Sequence, residues 1–193
     1  MIPPTEKLSL AAALAAARET RTLEIGTHIL GETPRVFGKH FNGQSAVIVA
    51  DENTFRVAGR AVNEAFKVQG RPVLESLILR SPDLYAESRF VNEVEAALRT
   101  HNAIPVAVGS GTINDLTKLA SHRLGRTYMC VATAASMDGY TAFGASITHE
   151  GLKQTFCCPA PVAVLADLEV ICAAPGLMNP WGYADLVAKV PAG

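Results

Sequence analysis

The feature that most constrains what this 193-residue chain can fold into is a regular alternation of apolar strand-like runs with amphipathic helical runs. Residues 46–50 read Ala-Val-Ile-Val-Ala and end at Asp51, and residues 56–68 then place Val57, Val62, Ala65, Phe66 and Val68 mostly on one helical face. The strand signal returns over 73–79 and stops at Ser81-Pro82; the helical one returns over 87–99, with Phe90, Val91, Val94, Ala97 and Leu98 near the required spacing. A third strand, 105–108, enters Gly109-Ser110-Gly111, and the helix predicted over 112–124 ends at Gly125, a glycine suited to a left-handed stop. Residues 128–133 and 162–166 are further buried strands. Parallel neighbours need a crossover, usually a helix, to bring the chain back, so the expected class is α/β, with a parallel sheet covered by helices on both faces.

Three segments depart from the alternation. Residues 8–19 are rich in Ala, Leu and Arg and predict a helix, followed by a short edge strand over 22–25. Residues 144–148 and 153–156 flank His149-Glu150-Gly151 and predict a β-hairpin inserted in the sheet domain. After Pro175, residues 178–190 read as the first helix of something new.

Charge and cysteine usage exclude several function classes. Seventeen Lys and Arg against eighteen Asp and Glu give a net charge of −1 with no basic run, which argues against a nucleic-acid or membrane-surface partner. With 49% hydrophobic and 18% charged residues the chain is expected to be ordered, and no apolar stretch approaches the roughly 18 residues of a membrane span. The apolar run over 8–17 follows Glu6 and Lys7 and lacks the positive flank of a signal peptide. Cys130, Cys157, Cys158 and Cys172 have no C-x-x-C spacing, so thiols in a reducing cytoplasm are expected.

The strongest local signal is the run from Val106 to Asp115, a buried strand turning through glycines into a helix. Such a turn offers free N–H groups and a positive helix end to phosphate oxygens, while Gly109 and Gly111 admit close approach of a pyrophosphate. The candidate cofactor-binding residues here are Gly109, Ser110, Gly111, Thr112, Asn114 and Asp115. Asn114 stands where G-x-G-x-x-G would have its third glycine, and the alternative is a plain connection with Thr112 as N-cap and Asp115 closing a capping box. Asp51, at the end of an earlier strand, is placed to accept hydrogen bonds from an adenosine ribose, or else caps the helix that follows it. Thr133, Ser136 and Asp138 follow the next strand and belong to the same carboxyl edge, where open α/β sheets bind ligands.

Four stretches then coincide with a known pattern: GSGTINDLTKLAS from Gly109, TAASMDGYTAFGASI from Thr133, VAVLADLEVI from Val162 and GYADLVAK from Gly182. Together they resemble sn-glycerol-1-phosphate dehydrogenases, in the superfamily of iron-containing alcohol dehydrogenases, glycerol dehydrogenase and dehydroquinate synthase. The resemblance implies a Rossmann-like NAD(P)-binding domain over 1–172 and, over 173–193, the beginning of an all-helical metal-binding domain. The implied reaction is the reduction of dihydroxyacetone phosphate to sn-glycerol 1-phosphate, so the implied partner is a small phosphorylated triose or glycerol, and relatives often form homo-oligomers. Gly109, Ser110 and Gly111 would hold the pyrophosphate of NAD or NADP, and Thr133 and Ser136 would line the cleft. Asp138 would touch the nicotinamide end or a substrate hydroxyl.

The same resemblance makes Asp185 a ligand of one divalent metal, zinc by expectation, with nickel or iron as alternatives. Such a Lewis acid neutralises the charge that hydride transfer builds on a ketone oxygen. Two histidine ligands are expected beside it, yet all five histidines, His28, His40, His101, His122 and His149, precede Asp185. The expectation is therefore that further residues beyond Gly193 complete the natural protein. Lys189, one turn after Asp185, is either a ligand for substrate phosphate or a surface lysine. The competing functions are a sister enzyme, glycerol dehydrogenase or a dehydroquinate-synthase-like lyase, and a non-catalytic nucleotide-binding fragment.

Overall fold

The structure, a computed structural model, describes residues 9–192. The chain opens with α1, Leu10–Ala16, capped by the Ser9 hydroxyl, which accepts the Ala12 N–H at 3.2 Å. Leu8, where the sequence starts this helix, lies outside the described residues, and the helix ends three residues before the expected Glu19. The alternating elements follow: β1 (Thr22–Gly26), α2 (Thr33–His40), β2 (Ala46–Asp51), α3 (Glu52–Thr54), α4 (Arg60–Val68), β3 (Leu77–Leu79), α5 (Ser88–Arg99), β4 (Ile104–Gly109), α6 (Gly111–Arg123) and β5 (Met129–Ala132). The hairpin β6 (Ala145–His149) and β7 (Leu152–Phe156) then precedes β8 (Ala163–Asp167), α7 (Leu168–Cys172) and α8 (Met178–Ala192).

Six strands form one parallel sheet in the order β1-β8-β5-β4-β2-β3, with β1 on an edge as its short, half-buried sequence implies. Alternate residues of each strand serve opposite faces. Val47, Val49, Ala107, Cys130 and Val164 pack under α5, α6 and the hairpin. Ala46, Ile48, Val106, Val108, Met129, Val131 and Leu165 pack under α2 and α4. Burial on both faces explains why these strands are continuous apolar runs. The hairpin is a separate two-stranded antiparallel sheet, joined to the body by Ala145 and Ile147 in the same core as α6.

Three boundaries differ from expectation for physical reasons. The 73–79 run is broken, with Val73 making an isolated bridge to Ala46 and only Leu77–Leu79 pairing as β3, as befits an edge entered through Pro72. The helix expected from Arg56 starts four residues earlier, since Asp51 and Thr54 form a reciprocal cap. Between α3 and α4, Phe55–Gly59 form a wide π-turn. The 112–124 helix starts at Gly111, and its N-cap is Ser110, so the Thr112–Asp115 capping box does not form. Gly125 does take the left-handed stop, at φ 64°.

The connection order matters most for the site. From β2 the chain steps outward to β3, then crosses back to place β4 on the other side of β2 and continues to β5. The carboxyl ends of β2 and β4 therefore diverge into the crevice where ligands bind in open α/β sheets.

Candidate functional site

A cleft of about 650 Å³ opens at that crevice, a volume in the ordinary range for small-molecule sites. Asp51 comes from the end of β2, Ser110 from the end of β4, and Thr133 and Ala134 from the end of β5. Asn53, Thr54, Arg56 and Val57 form one wall, and Glu169, Val170 and the 173–175 segment form the other.

Ser110 sits at the N-cap of α6 but its hydroxyl makes no capping bond, so the Oγ and the leading N–H groups of the helix are available to a ligand. Asn114 N–H, the first committed inward, bonds the Ser110 carbonyl at 3.0 Å. The two glycines of the turn do different work. A Cβ on Gly109 would stand 2.4 Å from Ile113 Cβ, so Gly109 lets β4 fold sharply back against α6. A Cβ on Gly111 would meet only the flexible Met137 side chain, at 3.3 Å, so that glycine leaves room over the helix end. Thr133 N–H donates to the Gly109 carbonyl at 3.2 Å and ties the β5 loop to this turn.

The remaining sequence candidates divide. Asp51 lines the cleft while also capping its own helix, its Oδ1 accepting Thr54 N–H at 2.8 Å. Thr112 is half-buried on the first turn of α6. Asn114 is fully buried, accepting the Tyr128 hydroxyl proton on Oδ1 at 3.0 Å. Asp115 accepts Ser146 N–H at 3.0 Å and stands 3.8 Å from the buried Lys118 ammonium, which donates to the Ala142 and Gly144 carbonyls. The Asn114 and Asp115 side chains are thus bonded to the core and to the hairpin. Burial holds the Asp115 carboxyl above its ordinary value, against the pull of Ser146 N–H and Lys118.

Asp138, Asp185 and Lys189 come together. Asp138 N–H donates to Asp185 Oδ2 at 3.2 Å, and Lys189 Nζ lies 2.9 Å from Asp138 Oδ1 and 3.8 Å from Asp185 Oδ1. The Asp138 amide, with help from Lys189, holds the Asp185 carboxyl below the usual range, and the bond to Asp138 raises the Lys189 ammonium. Gly182 makes the contact possible: a Cβ there would stand 2.0 Å from the Ala135 carbonyl oxygen, so α8 lies directly on the 134–138 loop. Ser136 sits half-buried in that loop, which Tyr140 props by donating its hydroxyl to the Ala134 carbonyl at 2.7 Å.

These residues do not fit a complete metal centre. Among the described residues no three His, Cys, Asp or Glu side chains are placed to share an ion. Asp185, the candidate ligand, has the Asp138 carboxylate as its neighbour, but the Lys189 ammonium stands against both.

Sequence reasoning missed the far wall and its anchor. Asp167, only 2% exposed at the end of β8, accepts N–H bonds from His28, Ile29, Leu30 and Glu169 at 2.7–3.2 Å. It thereby fixes α7, which carries Glu169 and Val170, beside the loop after β1. The readable signal was an Asp closing an apolar strand immediately before Leu-Glu-Val. The wall residues Asn53 and Arg56 were missed because nothing in the sequence marked the helical turns after β2 as a cleft wall.

The fold, the crevice at its strand-order reversal and the glycine turn define a Rossmann-like α/β architecture with a cleft at its carboxyl edge. The pattern of the family described as iron-containing alcohol dehydrogenase matches residues 24–175, and the chain belongs to that family. It is 35% identical over 175 residues to a glycerol-1-phosphate dehydrogenase [NAD(P)+] of Halalkalibacterium halodurans, covering 89% of this chain and 43% of that one. It is 37% identical over 152 residues to the protein of the same name from Geobacillus thermodenitrificans, covering 76% and 37%. The crystal structure of NADH-dependent butanol dehydrogenase A from Thermotoga maritima has the same fold at TM-score 0.74 and 15% identity, over 88% of this chain and 48% of that one. The chain therefore spans about two fifths of the length of these curated relatives. Among the described residues no helix is long and apolar enough to cross a membrane.

Proposed function

We propose that the cleft binds NAD(P)H and that the chain supplies the dinucleotide-binding part of a dehydrogenase interconverting dihydroxyacetone phosphate and sn-glycerol 1-phosphate. The observation that carries this reading is the cleft at the β2/β4 crossover, where Ser110, its hydroxyl uncommitted at the N-cap of α6, and Asp51 line one space. Gly109, Ser110, Gly111 and Thr112 take the pyrophosphate, with N–H groups as donors. Asp51 takes the adenosine ribose. Thr133 and Ser136 line the path towards the nicotinamide. A dinucleotide held by these residues would supply the hydride for reduction of a ketone carbon, with a proton going to the ketone oxygen. Asp138 and Lys189 are assigned to the substrate side, Asp138 to a hydroxyl or the nicotinamide end and Lys189 to the phosphate. Asp185 is the one carboxylate of this group offered to a divalent metal, and the dinucleotide assignments do not depend on it.

The test pairs binding with turnover. Titration of the 193-residue chain with NADH and NADPH is expected to show saturable binding that weakens roughly tenfold when Gly111 is replaced by Ala. Oxidation of either dinucleotide by dihydroxyacetone phosphate is then followed in a protein of the relatives' length carrying this sequence, before and after chelation and zinc restoration. Dihydroxyacetone active in place of its phosphate would move the assignment to a glycerol dehydrogenase. Binding without turnover on any of these substrates would leave a nucleotide-binding module.

A further inference from the structure

The polar groups at the adenosine end of the cleft differ in how far they are already engaged. Asp51 Oδ1 holds the Thr54 N–H at 2.8 Å, and the Asp51 N–H donates to Thr54 Oγ1 at 3.0 Å, leaving the second carboxylate oxygen. Glu52 is directed to Arg80 at the end of β3, 3.9 Å away. Arg56 is different. It is exposed, it lies on the cleft wall, and its recorded partner among the described residues is the neutral side-chain oxygen of Asn53, itself a wall residue, at 3.0 Å from Nη2.

The local backbone explains that placement. The π-turn Phe55–Gly59 widens the helix just after its cap, and Gly59 accepts the Phe55 ring so closely that a Cβ there would be 2.6 Å from it. Ala58 and Gly59 are buried against the core by this turn, while Arg56 and Val57 are left on the cleft wall. Single π-turns within helices recur at functional positions.

We propose that Arg56 is the counter-charge for a 2′-phosphate on the adenosine ribose, so that the cleft takes NADPH as well as NADH. The assignment rests on the dinucleotide reading of the cleft. A guanidinium offers paired donors that match phosphate geometry and keeps its charge at all working pH values. Arg56 lines the same cleft as Asp51, the carboxylate that closes this strand, and a nearby arginine is how a ribose site tolerates a 2′-phosphate. Asp51 alone would repel that phosphate. With Arg56 on the same wall the repulsion is offset, while the remaining Asp51 oxygen still serves the 2′-hydroxyl of NADH.

The experiment is direct titration of the 193-residue chain and of Arg56→Gln with NADH, NADPH, 2′-AMP and 5′-AMP at two salt concentrations, with thermal melting as a folding check. The expected result is an NADPH and 2′-AMP affinity weakened roughly ten- to hundredfold, the range for a lost charged hydrogen bond. NADH and 5′-AMP affinities should change by less than about twofold, and salt should weaken NADPH more than NADH in the parent chain only. Equal weakening of all four ligands, no weakening, or a parent chain that binds NADH but not NADPH overturns the Arg56 assignment and leaves the dinucleotide reading standing. A parent chain that binds none of the four overturns the dinucleotide reading, and the assignment with it.

Discussion

Replacing Gly182 by Ala sets two opposed effects against each other. In a helix interior Ala is favoured over Gly by about 1 kcal/mol, so on propensity alone the variant gains stability, worth roughly 2–4 °C in a domain of this size. The added Cβ, however, would stand 2.0 Å from the Ala135 carbonyl oxygen and 3.2 Å from the Met137 nitrogen, against ordinary contact from 3.4 Å outward. Either α8 lifts by about 1.4 Å or the 134–138 loop yields by as much. The loop is held by Tyr140 on the Ala134 carbonyl, so α8 is the part that moves. A shift of that size takes the Asp138 N–H to Asp185 bond, already 3.2 Å, out of range and separates Lys189 from Asp138. Hydrogen exchange measured residue by residue should show the Asp138 amide and α8 losing protection, with β4 and β5 unchanged, because the sheet core does not include α8. An Asp138 amide as protected in Gly182→Ala as in the parent, with α8 more protected, would refute the reasoning and show that the helix is not seated through this glycine.

Gly109→Ala should lower stability by about 1–3 kcal/mol in urea unfolding, because its methyl would overlap the rigid, branched Ile113 at 2.4 Å. Gly111→Ala should fold as the parent does, since Met137 can give way, yet weaken dinucleotide binding roughly tenfold, about 1.4 kcal/mol; a parent-like dissociation constant would count against the pyrophosphate assignment. Burial raises the folded Asp115 value, so its contribution is most favourable below the ordinary aspartate value and is lost as pH rises from there through the raised folded value. Unfolding free energies of the parent minus those of Asp115→Asn should therefore fall across that acid window, and a difference that grows with pH would contradict the burial. Iodoacetamide should label exposed Cys157 and Cys172 in the folded chain, while buried Cys130, pushed up to about 12, and Cys158, pushed up to about 11, react only after unfolding; peptide mass spectrometry reads the pattern.

Strands buried on both faces were legible because they need no partner to be recognised: β2, β4, β5 and β8 are each an apolar run that ends at, or is followed at once by, a polar residue or glycine. Helix α2 was not, since Thr33–His40 opens with Thr-Pro and buries only Thr33, Pro34, Val36 and Phe37. Its short apolar face is recognisable only once β8 and α4 are there to receive it. At the site, the glycine turn could be read because backbone geometry demands specific residues there. The Asp167 anchor could not, because its four N–H partners include three from a loop about 140 residues earlier in the chain. Asn114 and Asp115 show the converse: the turn's sequence groups them with Ser110, whereas helical periodicity turns their side chains into the core and towards the hairpin.

The same periodicity explains how the two ends of the loop between β5 and the hairpin are held in register. Helix α6 carries the open turn at its first residues and, one turn further on, Asp115 and Lys118, whose bonds to Ser146, Ala142 and Gly144 clamp the far end of the β5–hairpin loop. The near end of that loop is fixed to Gly109 through Thr133 N–H, and its middle is fixed to α8 through Gly182 and the Asp138–Asp185 contact. One helix thus anchors both the open N–H groups of its own first turn and the loop that carries Ser136 and Asp138. The buried lysine is accordingly a positioning group: it satisfies two carbonyls and half-neutralises Asp115, and no ligand needs to reach it. Lys189 is the reverse case, an exposed cation paired with the Asp138 and Asp185 carboxylates. The chain therefore places its committed charges inside the scaffold, Asp115 and Lys118 on α6 and Asp167 at the end of β8, and its exchangeable ones where α8 meets the loop.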